Sequence, residues 1–312
     1  MVICTQSIAG KQEFNPLIAN SIPDLHYNGD TQCFPLYWYE TIEPDKTSLF
    51  GGSEAQIVKH EAISDFILER AQSKYGNKVQ REDIFYYVYG ILHSKSYRET
   101  FSADLKKMLP RIPLVSDYQK FWSFSKAGRE LANLHLNYES IAPCPGVEVE
   151  SFENVQYKID SSVQMPQNDS DALMVADSVF DFAQPLVTEH TRPTDAEASR
   201  STDYAYYAVE QMKFPKKGQK DTIFYNHWHT IKNIPEKAYE YVVNGKSAIE
   251  WIMERYAVTT DKKSGITNNP NDWSWEHQKP RYILDLLLSV INVSVQTVDI
   301  VNALPEVDWE KE

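Results

Sequence analysis

Several groups of residues in this sequence have types and spacings that suggest chemistry. Gly245-Lys246-Ser247 resembles the end of a phosphate-binding loop, but Glu240 stands where the first glycine of that loop belongs. The glycine-rich backbone cradle therefore cannot form, and a turn before a capped helix is the better account. His227-Trp228-His229 puts two imidazoles on the same side of a strand, a spacing some metal sites use. No companion Asp, Glu or Cys ligand follows from spacing, so no metal is assigned. Asp104-Leu105-Lys106 and Asp261-Lys262-Lys263 match the acidic-x-Lys half of a metal-dependent nuclease core. Asp104 falls on an expected helix where a strand is required, and a second acidic ligand is missing. His93, Ser125 and Asp117 would be the members of a hydrolytic triad, yet no GxSxG elbow exists to carry the nucleophile.

The remaining signal is basic and aromatic. Tyr86, Tyr87, Tyr89, His93, Lys95, Tyr97 and Arg98 cluster in one segment, followed by Lys106, Lys107 and Arg111, then Lys126 and Arg129. Lys213, Lys216, Lys217 and Lys220 crowd a second segment, and Lys262 and Lys263 a third. Lysines suit phosphates as mobile point charges, arginines read guanine edges bidentately, and tyrosines give hydrogen bonds with little flexibility. The plain alternative is a set of solvated helix faces.

The elements that must position these residues follow from periodicity. Short strands and loops are expected over the first forty-odd residues: Val2-Ile3-Cys4, then 24–27, a turn at Asn28-Gly29-Asp30, and the aromatic run 34–39. From Ser53 the apolar spacing turns helical, through Ile57, Val58, Ala62, Ile63, Phe66, Ile67, Ala71 and Tyr75, to Gly76. A second helix is expected over 83–93. A third, opened by a Ser96/Glu99 capping box, is expected to end at Pro110, and a fourth covers 116–138. Strands are expected over 204–214 and 222–228, joined by the lysine-rich turn 215–220 as a hairpin. Short helices over 235–243 and 247–256, the second capped by Ser247 with Glu250, and a long one over 280–304 complete the chain. The fold class is α+β, a helical subdomain packed with a mixed or antiparallel β subdomain.

Composition sets outer limits. The 312 residues, 42% hydrophobic and 24% charged, supply ample core and exclude whole-chain disorder. No window reaches eighteen uninterrupted apolar residues, and no basic leader precedes an apolar core, so neither membrane nor secretion is expected. Cys4, Cys33 and Cys144 are far apart in sequence, odd in number and outside any CxxC pair, which points to a reducing cytoplasm and to neither a disulfide framework nor a cysteine zinc site. The opening on a strand-like VIC without leader or cap reads as a cut within a longer chain. The net charge of −13 argues against a generic nucleic-acid coat. By blocks, however, it is −6 over 1–70, +4 over 71–140, −10 over 141–210, +3 over 211–280 and −4 over 281–312. Screening confines each patch to roughly 10 Å at about 0.1 M salt, so the two basic blocks can still face DNA.

Those two blocks fall in segments that resemble a known family. Asp24-Leu25-His26 with Gln32-Cys33-Phe34-Pro35-Leu36-Tyr37, REDIFYYVYGILHSKSYRETFSADLKKMLPRIPLV (81–115), FWSFSKAGRELANLHLNYE (121–139), VEQMKFPKKG (209–218), IPEKAYEYVVNGKSAIEWIMERY (234–256), TDKKSGITNNPNDW (260–273) and PRYILDLLLSVINVSVQT (280–297) resemble the C-terminal part of type ISP restriction-modification enzymes. In these single-chain proteins a nuclease, a DEAD-type helicase translocase, a coupling segment, an adenine methyltransferase and a target-recognition domain follow in order. The resemblance covers nearly the whole chain except 150–203. It implies a β-rich junction with the methyltransferase over 1–45, a mainly helical part of the target-recognition domain over 46–149, an acidic insertion or loop over 150–203, and a hairpin-plus-helix part over 204–312.

The resemblance further implies sequence-specific recognition of double-stranded DNA without catalysis in this segment. It implies partner methyltransferase and helicase domains in the same polypeptide, and S-adenosylmethionine, ATP and Mg used only by those other domains. An intact GxxxxGKT loop, a DEAD box, FxGxG and NPPY are all missing, and Asn269-Pro270-Asn271-Asp272 lacks the second proline and the aromatic that hold a flipped adenine. Individual base readers do not carry over, since recognition domains differ there by purpose. Lys95, Arg98, Lys106, Lys107, Arg111, Lys126, Arg129, Lys213, Lys216, Lys217, Lys220, Lys262 and Lys263 are candidate DNA contacts from their chemistry alone. The rival expectation is a non-catalytic interaction or scaffold module whose aromatic face docks neighbouring domains.

Overall fold

The computed structural model describes residues 1–6, 14–43, 55–151 and 204–308. The expected insertion 150–203 lies outside them but for its first two residues. In chain order the elements are β1 (Val2–Gln6), β2 (Leu17–Ala19), β3 (Thr31–Pro35), β4 (Tyr37–Ile42), β5 (Gln56–Glu61), α1 (Asp65–Tyr75), α2 (Arg81–His93), α3 (Lys95–Thr100), α4 (Ser102–Leu105) and α5 (Tyr118–Leu136). There follow β6 (Glu148–Ser151), β7 (Ile223–Phe224), β8 (His229–Lys232), β9 (Val242–Val243), β10 (Lys246–Ser247), α6 (Ala248–Arg255), β11 (Thr259–Thr260), β12 (Thr267–Asn268), α7 (Asn271–Glu276) and α8 (Tyr282–Asn302). Helices and small antiparallel sheets together make an α+β fold. Two compact units result: the first comprises 1–145, 235–251 and 286–312, the second 146–234 and 252–285.

The first unit is built on the pair α2 and α5. Phe85, Tyr87, Tyr89, Ile91, Phe121, Phe124 and Leu131 are all buried, each contributing about 1.5–3 kcal/mol by leaving water. The helices meet where neither carries a side chain. A Cβ on Gly128 would sit 1.8 Å from the Tyr86 carbonyl oxygen, and one on Gly90 2.3 Å from that of Phe124. Tyr87 donates to Pro113 O at 2.6 Å and accepts from Val115 N at 3.1 Å, so its hydroxyl pins the 113–115 loop from below. The tyrosines expected to offer hydrogen bonds outward thus form the core: Tyr86, Tyr87, Tyr89 and Tyr97 are at most 8% exposed. β1 is the middle strand of the sheet β2-β1-β3 and is buried along its length. α8 is long and apolar enough to cross a membrane, but 78% of its most apolar stretch is buried inside the fold.

Several expected elements differ. Residues 24–27 form turns, with Tyr27 N donating to Asp24 O at 3.1 Å, and β1 supplies the partner of β3. The helix expected from Ser53 begins at Asp65, capped by Ser64. Residues 56–61 instead pair with β4 throughout, and Trp38 stacks on His60 at 4.2 Å. β-branched Ile57 and Val58 fit that ribbon, and the apolar spacing that suggested a helix came from two elements read as one. Ser94, not Ser96, caps α3; the Ser96 hydroxyl accepts from Val307 N at 3.2 Å, and the expected single helix to Pro110 breaks into α3 and α4. Residues 236–240 form a 3-10 turn leading into β9. Helices α5, α6 and α8 agree with expectation, and Ser247 caps α6 by accepting from Glu250 N at 3.2 Å.

In the second unit the sheet order is β6-β8-β7, over buried Val209, Met212, Ile223, Tyr225 and Ile231. The long hairpin expected from 204–214 and 222–228 is reduced to one bridge, Lys213 with Phe224. Residues 204–207 are helical, and β7 takes β8 as its ladder partner. Asn226 is the physical reason. Its Oδ1 accepts from Trp228 N at 2.9 Å and His229 N at 2.8 Å, which turns the chain, while its Nδ2 donates to the carbonyls of Tyr206 and Ala208 at 3.0 and 2.8 Å.

Candidate nucleic-acid interface

The second unit carries two lysine-bearing loops with a common root. Lys213 exchanges both backbone hydrogen bonds with Phe224, at 3.0 and 2.8 Å, and closes a loop through Pro215, Lys216, Lys217, Gly218 and Lys220. A turn with Gln219 N donating to Lys216 O at 3.1 Å and Gly218 at φ +87° points the lysines outward. The other loop lies between β11 and β12, which pair at Thr259 with Asn268 and at Thr260 with Thr267. Val258 N, immediately before β11, donates to Glu210 O at 2.7 Å, three residues before Lys213. Both loops therefore leave one short stretch of backbone. Asn271 holds that stretch from α7: its Oδ1 accepts from Val209 N at 2.8 Å and its Nδ2 donates to Val209 O at 2.7 Å, so one amide side chain replaces a strand partner.

Electrostatics leave these lysines available. Lys213, Lys216, Lys217, Lys262 and Lys263 are exposed and make no ion pair with a described residue. The nearest acid in the second loop, Asp261, is occupied: it accepts from Ser264 N at 2.7 Å, Ser264 Oγ at 2.9 Å and Lys263 N at 3.0 Å. These donors hold its carboxyl below the usual carboxylate range, the Ser264 N–H foremost. Asp261 thus organises the turn as an Asx motif. Lys220 lies 5.9 Å from the Phe214 ring.

In the first unit the basic candidates divide by engagement. Arg129 lies 4.1 Å over the Tyr86 ring and 3.1 Å from Asp83, so its guanidinium braces α5 against α2. Arg98 donates to Phe14 O at 2.8 Å and Asn15 Oδ1 at 3.3 Å, and Lys95 to Asn302 Oδ1 at 2.6 Å. These three are latches between segments distant in sequence. Lys126 stands 4.0 Å from Glu130 one helical turn on, an exposed pair of small worth. Lys106, Lys107 and Arg111 are exposed beyond the end of α4; Lys107 N donates to Asp104 O at 2.8 Å, and the Arg111 carbonyl accepts from Tyr97 Oη at 3.0 Å.

The catalytic constellations do not assemble among the described residues. His93 Nδ1 meets Tyr89 O at 2.9 Å, Ser125 Oγ donates to Asp83 O at 2.9 Å, and Asp117 caps α5 by accepting from Gln119 N at 2.9 Å. Each of the three has its own structural partner. His227 is exposed in a turn while His229 is buried in β8, so the two imidazoles do not share one side of a strand as expected. Asn244 and Gly245, at φ +50° and +82°, form the β9–β10 turn, which accounts for Gly-Lys-Ser without a phosphate loop.

One segment combines aromatics and cations without having been singled out. Trp273 and Trp275 are 39% and 53% exposed, Trp273 stacks on His277 at 4.1 Å, and Lys279 lies 5.7 Å from the Trp273 ring. Arg281, over Tyr207 at 5.1 Å, is held by Asp285 at 3.0 Å. The signal is present in the sequence, as the same interleaving of rings and charges noted over 86–98.

Fold and surface together define a binding module of α+β architecture, with mobile point charges presented on paired loops. The sequence profile described as the Type ISP C-terminal specificity domain matches residues 1–286. The chain belongs to that family. Among solved structures, it is similar to the ATP-dependent Type ISP restriction-modification enzyme LlaBIII bound to DNA, with 37% identity over 99% of this chain and a TM-score of 0.69. It is also similar to a nuclease-deletion mutant of the Type ISP enzyme LlaGI in complex with a DNA substrate mimic, with 35% identity over 99% of the chain and a TM-score of 0.64. The DrdV–DNA complex matches at 28% identity over 98% of the chain, with a TM-score of 0.63. The chain spans 16%, 18% and 25% of the length of these three relatives. A comparison with curated protein sequences gave no match.

Proposed function

We propose that this chain selects a duplex DNA sequence as the specificity module of a single-polypeptide restriction-modification enzyme, and that methylation, ATP-driven translocation and cleavage belong to other domains of that polypeptide. On this reading the module is not catalytic, and S-adenosylmethionine, ATP and Mg serve those other domains. The observation that carries it is the exposure of Lys213, Lys216, Lys217, Lys262 and Lys263 on two loops rooted on residues 209–213, in a family whose solved relatives were captured with DNA. Lys213, Lys216, Lys217, Lys262 and Lys263 anchor phosphates, which fixes register without reading sequence. A binding selection on random duplex DNA at moderate salt, with this chain and with the complete enzyme, tests it. Enrichment of one common sequence is expected. Binding without sequence enrichment by either protein would overturn the specificity reading.

The β4–β5 ribbon favours a second role, contact with neighbouring protein domains. Trp38, Tyr39, Ile42 and Ile57 are 46–70% exposed, and the ribbon bears Glu40, Glu43 and Glu61 against Lys59, a balance that repels phosphate. Cross-linking of the complete enzyme should place this ribbon against other domains, whereas protection of the ribbon by DNA would reassign it.

A further inference from the structure

Cys4 and Cys33, 29 positions apart in sequence, stand directly opposite each other in the antiparallel ladder of β1 and β3. The ladder also shows which kind of opposed pair they form. Leu36 N donates to Met1 O at 3.0 Å, so residues 1 and 36 exchange a hydrogen bond. Pro35, opposite Val2, has no N–H to exchange. Hydrogen-bonded and non-hydrogen-bonded pairs alternate along an antiparallel ladder. Counting on from Val2 and Pro35, Ile3 with Phe34 is hydrogen-bonded and Cys4 with Cys33 is not. The next non-bonded position agrees, since Thr31 N, opposite Gln6, donates to Leu25 O at 2.7 Å.

At a non-hydrogen-bonded position the α-carbons approach to about 4.5 Å and both side chains leave on one face. That separation lies within the roughly 4.4–6.8 Å that a disulfide spans. Cys4 Sγ lies 3.9 Å from the Val2 carbonyl oxygen, and the Cys33 thiol is close enough to act on it electrostatically. They differ in access, Cys33 being exposed and Cys4 buried, while Cys144 is buried on the segment before β6 and outside this ladder.

We propose that Cys4 and Cys33 are a redox-active dithiol, converted by a small disulfide such as oxidised glutathione into a disulfide across β1 and β3. The Cys33 thiolate attacks one sulfur of the oxidant and releases one thiol, which takes up the proton Cys33 gave to solvent. Cys4 then loses its proton and attacks Cys33 Sγ, expelling the second thiol. Two protein thiols and one oxidant disulfide become one protein disulfide and two small thiols, so atoms and electrons balance. Exposure sets the order, because only Cys33 is open to the oxidant. Burial, with Cys33 alongside, pushes the Cys4 thiol up to about 12, so resolution is the slower step and the mixed disulfide on Cys33 forms first.

The test is treatment of the chain with oxidised glutathione, acid quenching, alkylation after unfolding, and mass spectrometry of intact protein and peptides. The thiol count should fall from three to one, with a linked Cys4–Cys33 peptide. Cys33→Ser should keep both remaining thiols, and Cys4→Ser should retain one glutathione on Cys33 that does not resolve. An unchanged thiol count in the native sequence, a bond involving Cys144, a dimer linked through two copies of Cys33, or a Cys4→Ser protein that takes up no glutathione would each overturn the proposal.

Discussion

Replacing Lys216 and Lys217 together with Ala tests the phosphate-anchoring role directly. Both side chains are exposed on the 213–224 loop and neither is paired with a described acid, so the change removes two mobile charges and leaves no buried group unsatisfied. Each phosphate neutralised releases condensed counterion and contributes about 0.9 to the slope of log K against log salt, so the double variant should lose about 1.8. With no other contribution at about 1 M salt, that slope predicts weakening of about 30-fold at 0.15 M and only about 3- to 4-fold at 0.5 M, for every duplex sequence alike. Fluorescence anisotropy of a labelled duplex titrated across that salt range reads both numbers. Arg129→Ala is the control, since Arg129 is committed to Asp83 and Tyr86: it should lower stability and leave the slope as it was. If the lysine variant keeps the native slope, or if Arg129→Ala lowers it as much, the loop is not the phosphate anchor.

Packing sets three further expectations. Gly128→Ala drives a methyl to 1.8 Å from the Tyr86 carbonyl and forces α2 and α5 apart, so thermal unfolding should show a loss of at least 1–3 kcal/mol, whereas Lys126→Ala on the exposed face of the same helix should cost far less. Asn271→Ala leaves the Val209 N–H and C=O without their partner and should cost about 1–3 kcal/mol; hydrogen exchange should speed up at Val209, and DNA affinity should fall through the displaced loops. His93 is buried and burial lowers its pKa from 6.5 to about 4, opposed by the Tyr89 carbonyl and aided by Arg98. Its folded-state pKa lies below its unfolded value, so the unfolded chain binds the extra proton, and the stability present above about pH 6.5 drains away as pH falls toward 4, by about 3 kcal/mol in all. Chemical denaturation between pH 7 and 4.5 should show that loss in the native chain and a shallower one in His93→Gln.

How much was legible can be judged residue by residue. Helices α2, α5 and α8 were readable because each keeps one apolar period over several turns. The strand β5 was not, because Ile57 and Val58 continue, by accident of spacing, the stripe of α1, and only the pairing with β4 decides between the two. The lysines of 213–220 and 262–263 were visible as composition. That the two groups share a root was not, since it depends on one hydrogen bond from Val258 to Glu210 across 48 positions of sequence. Arg98, Arg129 and Lys95 looked equivalent to those lysines, and their partners Phe14, Asp83 and Asn302 could not be known from local sequence.

The sequence by itself determined the α+β class, the main helices, the family and the two basic blocks hidden within an acidic total, because these rest on local periodicity, composition and motif order. Tertiary structure alone decided which cations are available and which are spent, that the tyrosines of 86–97 are core, and that Cys4 faces Cys33. The physical reason is common to all three: the state of a charge, ring or thiol is fixed by its neighbours in space, and those neighbours arrive from distant parts of the chain only when it folds.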